Sequence, residues 1–486
     1  MWKAKLPPQI YAEFADQIKT HHRETPRHRG NLGISSGPFV KSGAKAATEA
    51  RLSAIVAGRR WIWRREATLG VGCWVMRNRV LGFGSKTLAI IAVTMALVGG
   101  AWAASNGKLV YGFTGGGDGS DPATGLTFDS TGNGYGTTVS GGFYGYGTVF
   151  ELKRLAGGNF QEVVLYSFRG AADGKNPYGG VAFDGSGNLY GTTVSGGSGG
   201  VCTGDGCGVV FKLTNSGGNW TESVLYNFTG GDDGSGPGGG VVFDGAGNLY
   251  GTTPDGGKFS AGVVYELSPQ GNTWQQTVIH AFTGGDDGAT GSLGLLLLAN
   301  GNFYGVSEGG GAHGAGTVFQ LSPMEFGKWK FTTLYGFKGM PDAAFPYGGL
   351  ITDGKNNLYG TTYYGGVNGV GAVFKLDGTT KKETVLYSFA EGTDGGYPTS
   401  TLVLDAAGNM YGTTSMGGLP ACDCGTVFEL SPVNGGVKET ILHRFKEKPD
   451  GGYPYYGLNP DPSGNLFSTT ASGGNSEAGI VFEFTP

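Results

Sequence analysis

A ten-residue phrase, D-x-x-G-N-x-Y-G-T-T, recurs seven times along the chain. Three copies are nearly identical, those that start at Asp184, Asp244 and Asp405, and the others are looser. The aromatic positions are separated by 55, 60, 54, 55, 52 and 56 residues and are Tyr135, Tyr190, Tyr250, Tyr304, Tyr359, Tyr411 and Phe467. A fixed period in this range predicts stacked structural units or a closed ring.

Each period contains four strand-like runs. In the second copy these are 180–183, 189–193, 209–213 and 223–228. The runs are rich in β-branched and aromatic residues and are bounded by Gly, Asn, Asp or Pro. Four strands in about 50 residues are typical of a propeller blade. We expect the glycine of Y-G-T-T to leave room for a neighbouring blade.

The fourth run, of the L-Y-x-F type, is offset by one unit. Its first copy, at 107–113, precedes the first blade, and no copy follows the last third strand. The pattern predicts an all-β, seven-bladed β-propeller of four-stranded blades, favoured over an open β-solenoid, with segment 107–113 pairing in the last blade. The predicted blades cover about 125–168, 180–228, 240–282, 294–337, 349–390, 400–445, and 457–485 with 107–113.

The segment before the repeats differs from them in character. Residues 1–75 carry 13 Lys/Arg and 5 Asp/Glu and contain no repeat. Residues 76–103 combine basic residues, a short apolar run and Ala101-Trp102-Ala103, which is the layout of a signal peptide. We therefore expect residues 1–75 to be sequence upstream of the true start at Met76. A basic disordered extension before a signal anchor is the alternative.

Removal of the signal peptide and the residues before it would change the expected net charge of the propeller, 104–486. Residues 1–103 hold 16 Lys/Arg and 5 Asp/Glu, a net of +11, so the whole-chain charge of −4 leaves −15 for the remainder. An acidic surface repels phosphate, which argues against nucleic acid as a partner. We predict a secreted or cell-surface monomer with no membrane span in the mature chain.

Four cysteines of the propeller form two local pairs. Cys202 and Cys207 enclose four residues, and Cys422 and Cys424 enclose one. Because export permits disulfides, both pairs are candidate disulfides. A Cys202–Cys207 bond closes an easy loop, whereas a Cys422–Cys424 bond would be a tight ring, and the sequence leaves the redox state of that pair open. No histidine lies near either pair, so no metal site is expected there.

The repeated motifs also carry a family resemblance. The runs D-x-x-G-N-L-Y-G-T-T, G-x-V-F-x-L and V-L-Y-x-F-x-G-x-x-D-G resemble the tandem repeat of choice-of-anchor GloVer-repeat proteins, over about 105–486. This resemblance implies an exported, propeller-like protein. A C-terminal surface anchor is common in such proteins, but Val481 to Pro486 do not match one. The resemblance implies no particular activity.

A recurrent Asp-Gly pair follows the fourth run. Its aspartates could hold calcium near the channel mouth or could simply form a turn repeated by duplication. No D-x-D-x-D-G loop is present, and no other cofactor is expected. The aspartates are Asp118, Asp173, Asp233, Asp287, Asp394 and Asp450, with Asp342 in a degenerate copy.

Aromatic residues follow these Asp-Gly turns. Strand order places the loops after the second and fourth strands on one face, which also carries both cysteine pairs. Tyrosines there could stack on sugar rings, or could pack between blades. The candidate ligand-binding residues are Tyr178, Tyr347, Tyr397, Tyr453 and Tyr455.

These features favour a binding function over catalysis. The propeller sequence has three histidines, His280, His313 and His443, of which two replace the Tyr of L-Y-x-F. We therefore predict no catalytic residues and a binding or surface-interaction module for an extracellular glycan or a surface protein. A polysaccharide hydrolase or lyase with carboxylates at the channel mouth is the alternative. A purely structural surface-layer component is a third possibility.

Overall fold

The structure, a computed structural model, describes residues 53–56, 59–62 and 107–486 except 123, 171, 203, 292 and 293. The chain divides into two compact units, Met1–Val98 and Gly99–Pro486. In the first unit, Ser53–Val56 pairs antiparallel with Arg59–Ile62. The predicted signal peptide, 76–103, lies outside the described residues.

The second unit is a ring of seven antiparallel sheets, numbered as blades in chain order. The innermost strands, from blade 1 to blade 7, are Thr127–Phe128, Ala182–Phe183, Val242–Phe243, Leu296–Leu297, Ile351–Thr352, Val403–Leu404 and Asn459–Pro460. The second strands are Gly134–Ser140, Leu189–Thr193, Leu249–Thr253, Phe303–Gly309, Leu358–Gly365, Met410–Thr414 and Leu466–Thr470. The predicted seven-bladed β-propeller is thus confirmed.

The third and outer strands complete each blade. The third strands are Thr148–Arg154, Val209–Ser216, Val263–Gln270, Thr317–Pro323, Ala372–Leu376, Thr426–Val433 and Ile480–Phe484. The outer strands are Phe160–Ser167, Asn219–Asn227, Thr273–Ala281, Trp329–Gly336, Glu383–Ser388, Gly436–Arg444 and, in blade 7, Gly107–Gly112. Blades 1, 4 and 5 add a short strand beside the second strand, at Ser120–Pro122, Ala289–Gly291 and Ala343–Pro346. A 3-10 turn, Glu325–Gly327, precedes the outer strand of blade 4.

The ring closes as the offset motif predicted. Segment Gly107–Gly112 pairs antiparallel with Ile480–Phe484, with Leu109 opposite Phe482. Blade 7 is therefore built from both ends of the propeller sequence, and its sheet has the same four-strand order as the other blades. Closure of this kind removes two exposed strand edges.

The repeated phrase is a hydrogen-bonded turn. In blade 2, the Asp184 carboxylate accepts hydrogen bonds from the backbone N–H of Asn188 at 2.9 Å, from Asn188 Nδ2 at 2.7 Å and from the Tyr190 hydroxyl at 3.1 Å. The following glycine, Gly191, lies against the ring of Phe211 on the third strand of the same blade, where a Cβ would come within 2.6 Å of Cζ. We expected this glycine to leave room for a neighbouring blade. That expectation was wrong, because the group it accommodates is an aromatic ring of its own blade.

Threonines of Y-G-T-T join the blades. Thr192 is buried and donates a hydrogen bond at 2.7 Å to the carbonyl of Gly239, in the segment that leads into the innermost strand of blade 3. The same bond joins Thr137 to Gly179, and at the seam Thr469 donates to the carbonyls of Pro122 and Thr124. Blade 4 has Val306 at this position.

The apolar core lies between adjacent sheets. One cluster combines Phe168 of blade 1 with Phe211 and Leu213 of blade 2, and the two aromatic rings meet edge-to-face at 5.1 Å. Equivalent clusters fill the other interfaces, so each blade shares its buried surface with two neighbours.

The closing seam uses an ion pair in place of one repeated tyrosine. Blade 7 has Phe467 where most blades have tyrosine, so the Asp461 turn lacks the hydroxyl donor. Arg154 of blade 1 supplies the donor instead, with Nη1 at 2.9 Å from Asp461 Oδ2, and the Asp461 side chain is fully buried. A buried carboxylate that loses its partner is costly, on the order of 3 kcal/mol or more.

We therefore expect Arg154→Ala to lower the free energy of unfolding by about 3 kcal/mol, measured by urea denaturation. Adding Phe467→Tyr to Arg154→Ala should restore part of the loss, because the tyrosine hydroxyl can donate to Asp461 as its equivalents do in other blades. Lys153→Ala, at an exposed neighbour on the same strand, is the control and should change stability little. An Arg154→Ala variant as stable as wild type would contradict this account of the seam.

Candidate functional site

Loops from neighbouring blades meet on one face of the propeller. The loop after the outer strand of one blade bridges the loop after the second strand of the next, as at Lys175 and Ser195 or Ser235 and Asp255. This is the face predicted from strand order, and it also carries both cysteine pairs.

Seven residues on this face, one per blade junction, have a left-handed backbone. We call them the mouth ring. They are Asp121 (φ 56°), Asn176 (56°), Gly236 (67°), Thr290 (58°), Phe345 (55°), Tyr397 (56°) and Tyr453 (58°). Six of them precede a proline, and Thr290 precedes Gly291.

One repeated hydrogen bond accounts for the shared backbone of the mouth ring. Each member donates its backbone N–H to a carbonyl in the second loop of the preceding blade. The acceptors, in the same order, are Ala478 (3.0 Å), Tyr146 (3.0 Å), Cys207 (2.9 Å), Ala261 (2.8 Å), Ala315 (2.8 Å), Val370 (2.7 Å) and Cys424 (2.8 Å). The scaffold therefore imposes the left-handed conformation whatever the side chain.

The side chains of the mouth ring break the sevenfold symmetry. Glycine takes this conformation without cost, and Asn and Asp tolerate it, but a bulky residue pays about 1–2 kcal/mol. Blade junction 2–3 has Gly236, which adopts this backbone without strain, whereas three consecutive junctions have the bulky residues Phe345, Tyr397 and Tyr453. Strained residues persist where another role selects them. The aromatic half of the ring is thus the part that folding alone does not explain.

A cavity of about 560 Å³ lies at the centre of the propeller, and each blade junction contributes to its lining a residue two to four positions after the mouth-ring member. Three of the five predicted ligand-binding tyrosines, Tyr178, Tyr347 and Tyr455, line it together with Tyr456. They come from blade junctions 1–2, 4–5 and 6–7 and influence one another electrostatically across the cavity. Glycines such as Gly239 form much of the remaining wall.

The other two predicted tyrosines belong to the mouth ring itself. Tyr453 stacks nearly parallel on Tyr455, with ring centroids 6.3 Å apart at 18°. Tyr397 contacts Tyr363 at 5.1 Å and Tyr364 at 5.8 Å. Tyr363 and Tyr364 lie at the end of the second strand of blade 5, and neither was among the residues predicted from sequence. At the Tyr363 position the other blades have Val, Pro, Glu308, Ser or Ala.

Two carboxyl groups accompany the tyrosines. Asp121, in the mouth ring, raises the pKa of Tyr178 and Tyr455, while Glu308, at the end of the second strand of blade 4, acts on Tyr347 in the same way; burial is the larger cause in each case. Burial also raises the pKa of Asp121 and of Glu308 to about 7. Neither residue belongs to a repeated motif, so only a comparison across blades could have identified them.

The Asp-Gly aspartates lie elsewhere, beside the outer strands. Asp233 Oδ2 accepts hydrogen bonds from the Tyr226 hydroxyl at 2.9 Å and from the backbone N–H of Thr229 at 2.8 Å. The equivalent tyrosine, seven residues earlier in the chain, donates to the carboxylates of Asp118, Asp173, Asp342 and Asp394. In the two remaining copies a histidine takes the place of the tyrosine, and the contacts are His280–Asp287 and His443–Asp450, both at 2.9 Å. Each of these aspartates therefore has a side-chain partner on the outer strand that precedes it. None of these aspartates is among the described residues lining the cavity.

Repeat and fold together decide the family. Two overlapping stretches, residues 199–421 and 298–486, match the Gloeobacter/Verrucomicrobia repeat. The chain belongs to the Gloeobacter/Verrucomicrobia repeat family. This is the family that the GloVer resemblance indicated, and the match covers more than half of the chain. No curated protein matches.

Solved structures resemble the chain only distantly. A putative 6-phosphogluconolactonase from Bacteroides uniformis is 14% identical, with 69% of this chain and 87% of that chain covered and a TM-score of 0.45. A protein from Lactobacillus plantarum is 12% identical over 69% and 87%, with a TM-score of 0.46. An ancestral GH74 enzyme is 13% identical over 76% and 51%, with a TM-score of 0.45.

Both candidate disulfides are present on the loop face of this family member. Cys202 bonds to Cys207, and Cys422 bonds to Cys424. The carbonyls of Cys207 and Cys424 accept mouth-ring hydrogen bonds from Gly236 and Tyr453, so each bridge holds a loop that contacts the ring. Among the described residues, no group of three or more His, Cys, Asp or Glu side chains has the arrangement of a metal site. Nor does that part of the chain contain a helix of the length and apolarity that a bilayer requires.

A second set of carboxyl groups faces the Asp-Gly aspartates from the adjacent blade. Each lies four residues before the tyrosine or histidine of its own outer strand, and one carboxyl oxygen of each is buried without a hydrogen-bond partner. Burial, and then repulsion by the facing aspartate, raises the pKa of these groups to about 7, or about 8 for Glu383. The pairs are Glu162 with Asp118, Glu222 with Asp173, Glu383 with Asp342, and Glu439 with Asp394.

These glutamates predict that stability falls as pH rises above the acidic range. A glutamate whose pKa is raised on folding from 4.5 to about 7 binds a proton more tightly in the folded state. Its contribution is complete below about pH 4.5 and is lost as pH rises through about 7 to 8. Nearby Arg169, Lys338 and Arg444 reduce the effect without abolishing it.

We expect the midpoint of thermal unfolding to decrease between pH 4.5 and 8, and the decrease to flatten when Glu162, Glu222, Glu383 and Glu439 are all changed to Gln. Blade 3 supplies the matched control, because it has Gln276 at the same position. Gln276→Glu should steepen the dependence. Identical pH profiles for wild type and the fourfold variant would contradict the assignment.

Proposed function

We propose that this protein is an extracellular binding protein that holds a glycan in the cavity at the centre of its loop face. The observation that carries the proposal is the aromatic half of the mouth ring. Tyr397 and Tyr453 occupy left-handed positions where Gly236 shows that the scaffold accepts a cheaper residue. Tyr453 stacks on Tyr455, which lines the cavity, and Tyr397 contacts Tyr363.

The chemistry of the cavity suits a carbohydrate. Tyrosine combines an apolar ring face with a polar hydroxyl, and sugars present both C–H faces and hydroxyl groups. Tyr178, Tyr347 and Tyr455 are all partly exposed, so their surfaces are accessible to a ligand. A volume of about 560 Å³ is within the usual range for small-molecule sites, roughly 300–1,000 Å³.

The proposed location follows from the disulfides. Two bonded cysteine pairs favour an oxidising compartment, and the propeller sequence carries the acidic net charge common to soluble surface proteins. The signal peptide expected at 76–103 would deliver the chain there. A surface protein that presents a short segment to the same cavity is the alternative partner.

A polysaccharide hydrolase or lyase is the second candidate function. One observation favours it, since Asp121 and Glu308 act electrostatically on the cavity tyrosines Tyr178 and Tyr347, and burial raises the pKa of both carboxyl groups to about 7, where a carboxyl group can act as a general acid or base. Turnover of a polysaccharide panel that disappears in Asp121→Asn or Glu308→Gln would support this function. Binding without turnover would favour the non-catalytic module.

The binding proposal predicts that single tyrosine substitutions weaken glycan affinity. Tyr178→Ala and Tyr455→Ala should each raise the Kd of a glycan selected on an array by about tenfold, because each removes a stacking surface worth about 0.5–1.5 kcal/mol. Tyr144→Ala is the control, since Tyr144 is exposed on the same face and does not line the cavity. No binding anywhere on the array would overturn the proposal, as would equal losses in all three variants.

The strain in the mouth ring predicts that stability and binding respond differently at one position. Tyr453→Gly relieves a left-handed backbone at the expense of ring packing, so the free energy of unfolding should change by less than about 1 kcal/mol. Glycan affinity should still fall about tenfold, because the stacked partner of Tyr455 is lost. A large loss of stability with unchanged affinity would show that Tyr453 serves folding alone.

A further inference from the structure

Four aromatic side chains form one surface at blade 5, and we call them the blade-5 cluster. They are Phe345, Tyr363, Tyr364 and Tyr397. The ring centroid of Tyr364 lies 4.7 Å from that of Tyr363, and the two ring planes are nearly perpendicular at 88°. The Tyr364 ring also lies 5.7 Å from Phe345 and 5.8 Å from Tyr397. Tyr364 is exposed and its three neighbours are only partly buried, so solvent reaches the cluster.

The blade-5 cluster adjoins the cavity. Phe345 and Tyr397 belong to the mouth ring, and two residues after each of them the chain lines the cavity, at Tyr347 and Thr399. Because two residues of chain span at most about 7 Å, each segment runs from the cluster to the cavity wall within that distance. A molecule that fills the cavity and extends over the loop face at blade 5 therefore meets the cluster.

The fold of blade 5 does not depend on the two consecutive tyrosines. Blades 1 and 2 have Val-Ser at the positions of Tyr363 and Tyr364. The backbone makes the same hydrogen bond in either case. The carbonyl of Tyr364 accepts it from the Thr362 hydroxyl at 2.8 Å, and the carbonyl of Ser195 accepts it from Thr193 at 2.8 Å. Exposed aromatic side chains that the scaffold does not require are typical of a recognition surface.

The lining of the cavity favours an uncharged ligand. The described residues that line it are Gly, Thr, Tyr, Asn, Pro and aliphatic residues, and none of them is charged. Tyrosines in the cavity and in the cluster suit the C–H faces and hydroxyl groups of sugars. A cavity of about 560 Å³ has the size of a small-molecule site, so it holds only a short segment of a sugar chain. The rest of a longer chain would lie outside, where the cluster offers further ring surface.

We infer that the ligand is an uncharged linear polysaccharide, of which one segment occupies the cavity while the neighbouring sugar residues stack on the blade-5 cluster. This inference rests on the proposed glycan-binding function and specifies the class of its ligand. Two contact surfaces in series predict that affinity rises with chain length.

Chain length separates this inference from the function on which it rests. Isothermal titration would compare dimers and hexamers of β-1,4-linked glucose, mannose and N-acetylglucosamine. For at least one of these sugars we expect the hexamer to bind at least about tenfold more tightly than the dimer, because it also covers the cluster. A hexamer of galacturonic acid should bind more weakly than that hexamer, since its carboxylates would lose water without gaining a charged partner in the cavity.

Substitutions taken from other blades assign the gain to the cluster. Tyr363→Val combined with Tyr364→Ser gives blade 5 the residues of blades 1 and 2, and thermal unfolding would establish that this double variant is folded. It should weaken binding of the hexamer about tenfold and leave binding of the dimer unchanged. Tyr144→Ala is the matched control, because Tyr144 is an exposed aromatic residue of blade 1 on the same face. Met340→Ala is the second control, because it removes exposed apolar surface next to Gly369 of blade 5 without removing a ring.

Each outcome bears on a different claim. Equal affinity of the wild-type protein for dimer and hexamer would overturn the extended ligand and leave glycan binding in the cavity intact. A gain that survives in the double variant, or that is lost equally in either control, would overturn the role of the cluster. Tighter binding of the galacturonic acid hexamer would overturn the uncharged ligand. Binding on the glycan array without binding of any hexamer would overturn the linear chain, and no binding in either assay would overturn the function itself.

Discussion

The hydrogen bond from a buried threonine hydroxyl to a carbonyl of the next blade fixes the centre of this propeller. Thr192 donates to Gly239, Thr137 to Gly179, and Thr469 closes the circle at Pro122 and Thr124. Each acceptor lies in the segment that enters an innermost strand, and Gly179, Gly239 and Thr124 line the cavity. The bond that joins two blades therefore also positions the wall of the candidate site.

A rigid wall of this kind lets the side chains vary independently of the backbone. Every mouth-ring residue has the same left-handed φ and donates the same hydrogen bond, yet the residues range from glycine to tyrosine. Most of the aromatic surface gathers at blades 5 to 7, and glycines such as Gly239 and Gly240 form the wall opposite. The ring thus has one side suited to contact and another that leaves space for a ligand.

Much of the fold could be predicted from sequence because the same strand and turn residues recur in seven copies. The offset of Leu109–Phe113 was sufficient to predict ring closure, and the loop face followed from strand order. The site was harder, because it depends on differences between copies. Tyr178 and Tyr455 could be picked out from the sequence as unusual aromatic residues. Asp121 and Glu308 could not, because the burial that raises their pKa follows from the folded structure. The Glu383–Asp342 pairing likewise requires the packing of adjacent blades.

The closing strand has a consequence for how the chain acquires its structure. Leu109 is made early, but its partner Phe482 emerges only when the rest of the propeller has been synthesised. Until then the first and last blades have exposed edges, and the contact that joins them has a very large sequence separation. Such contacts form slowly and leave an aggregation-prone interval. Ring closure is therefore expected to be a late step of folding, and the native cavity can be complete only after it.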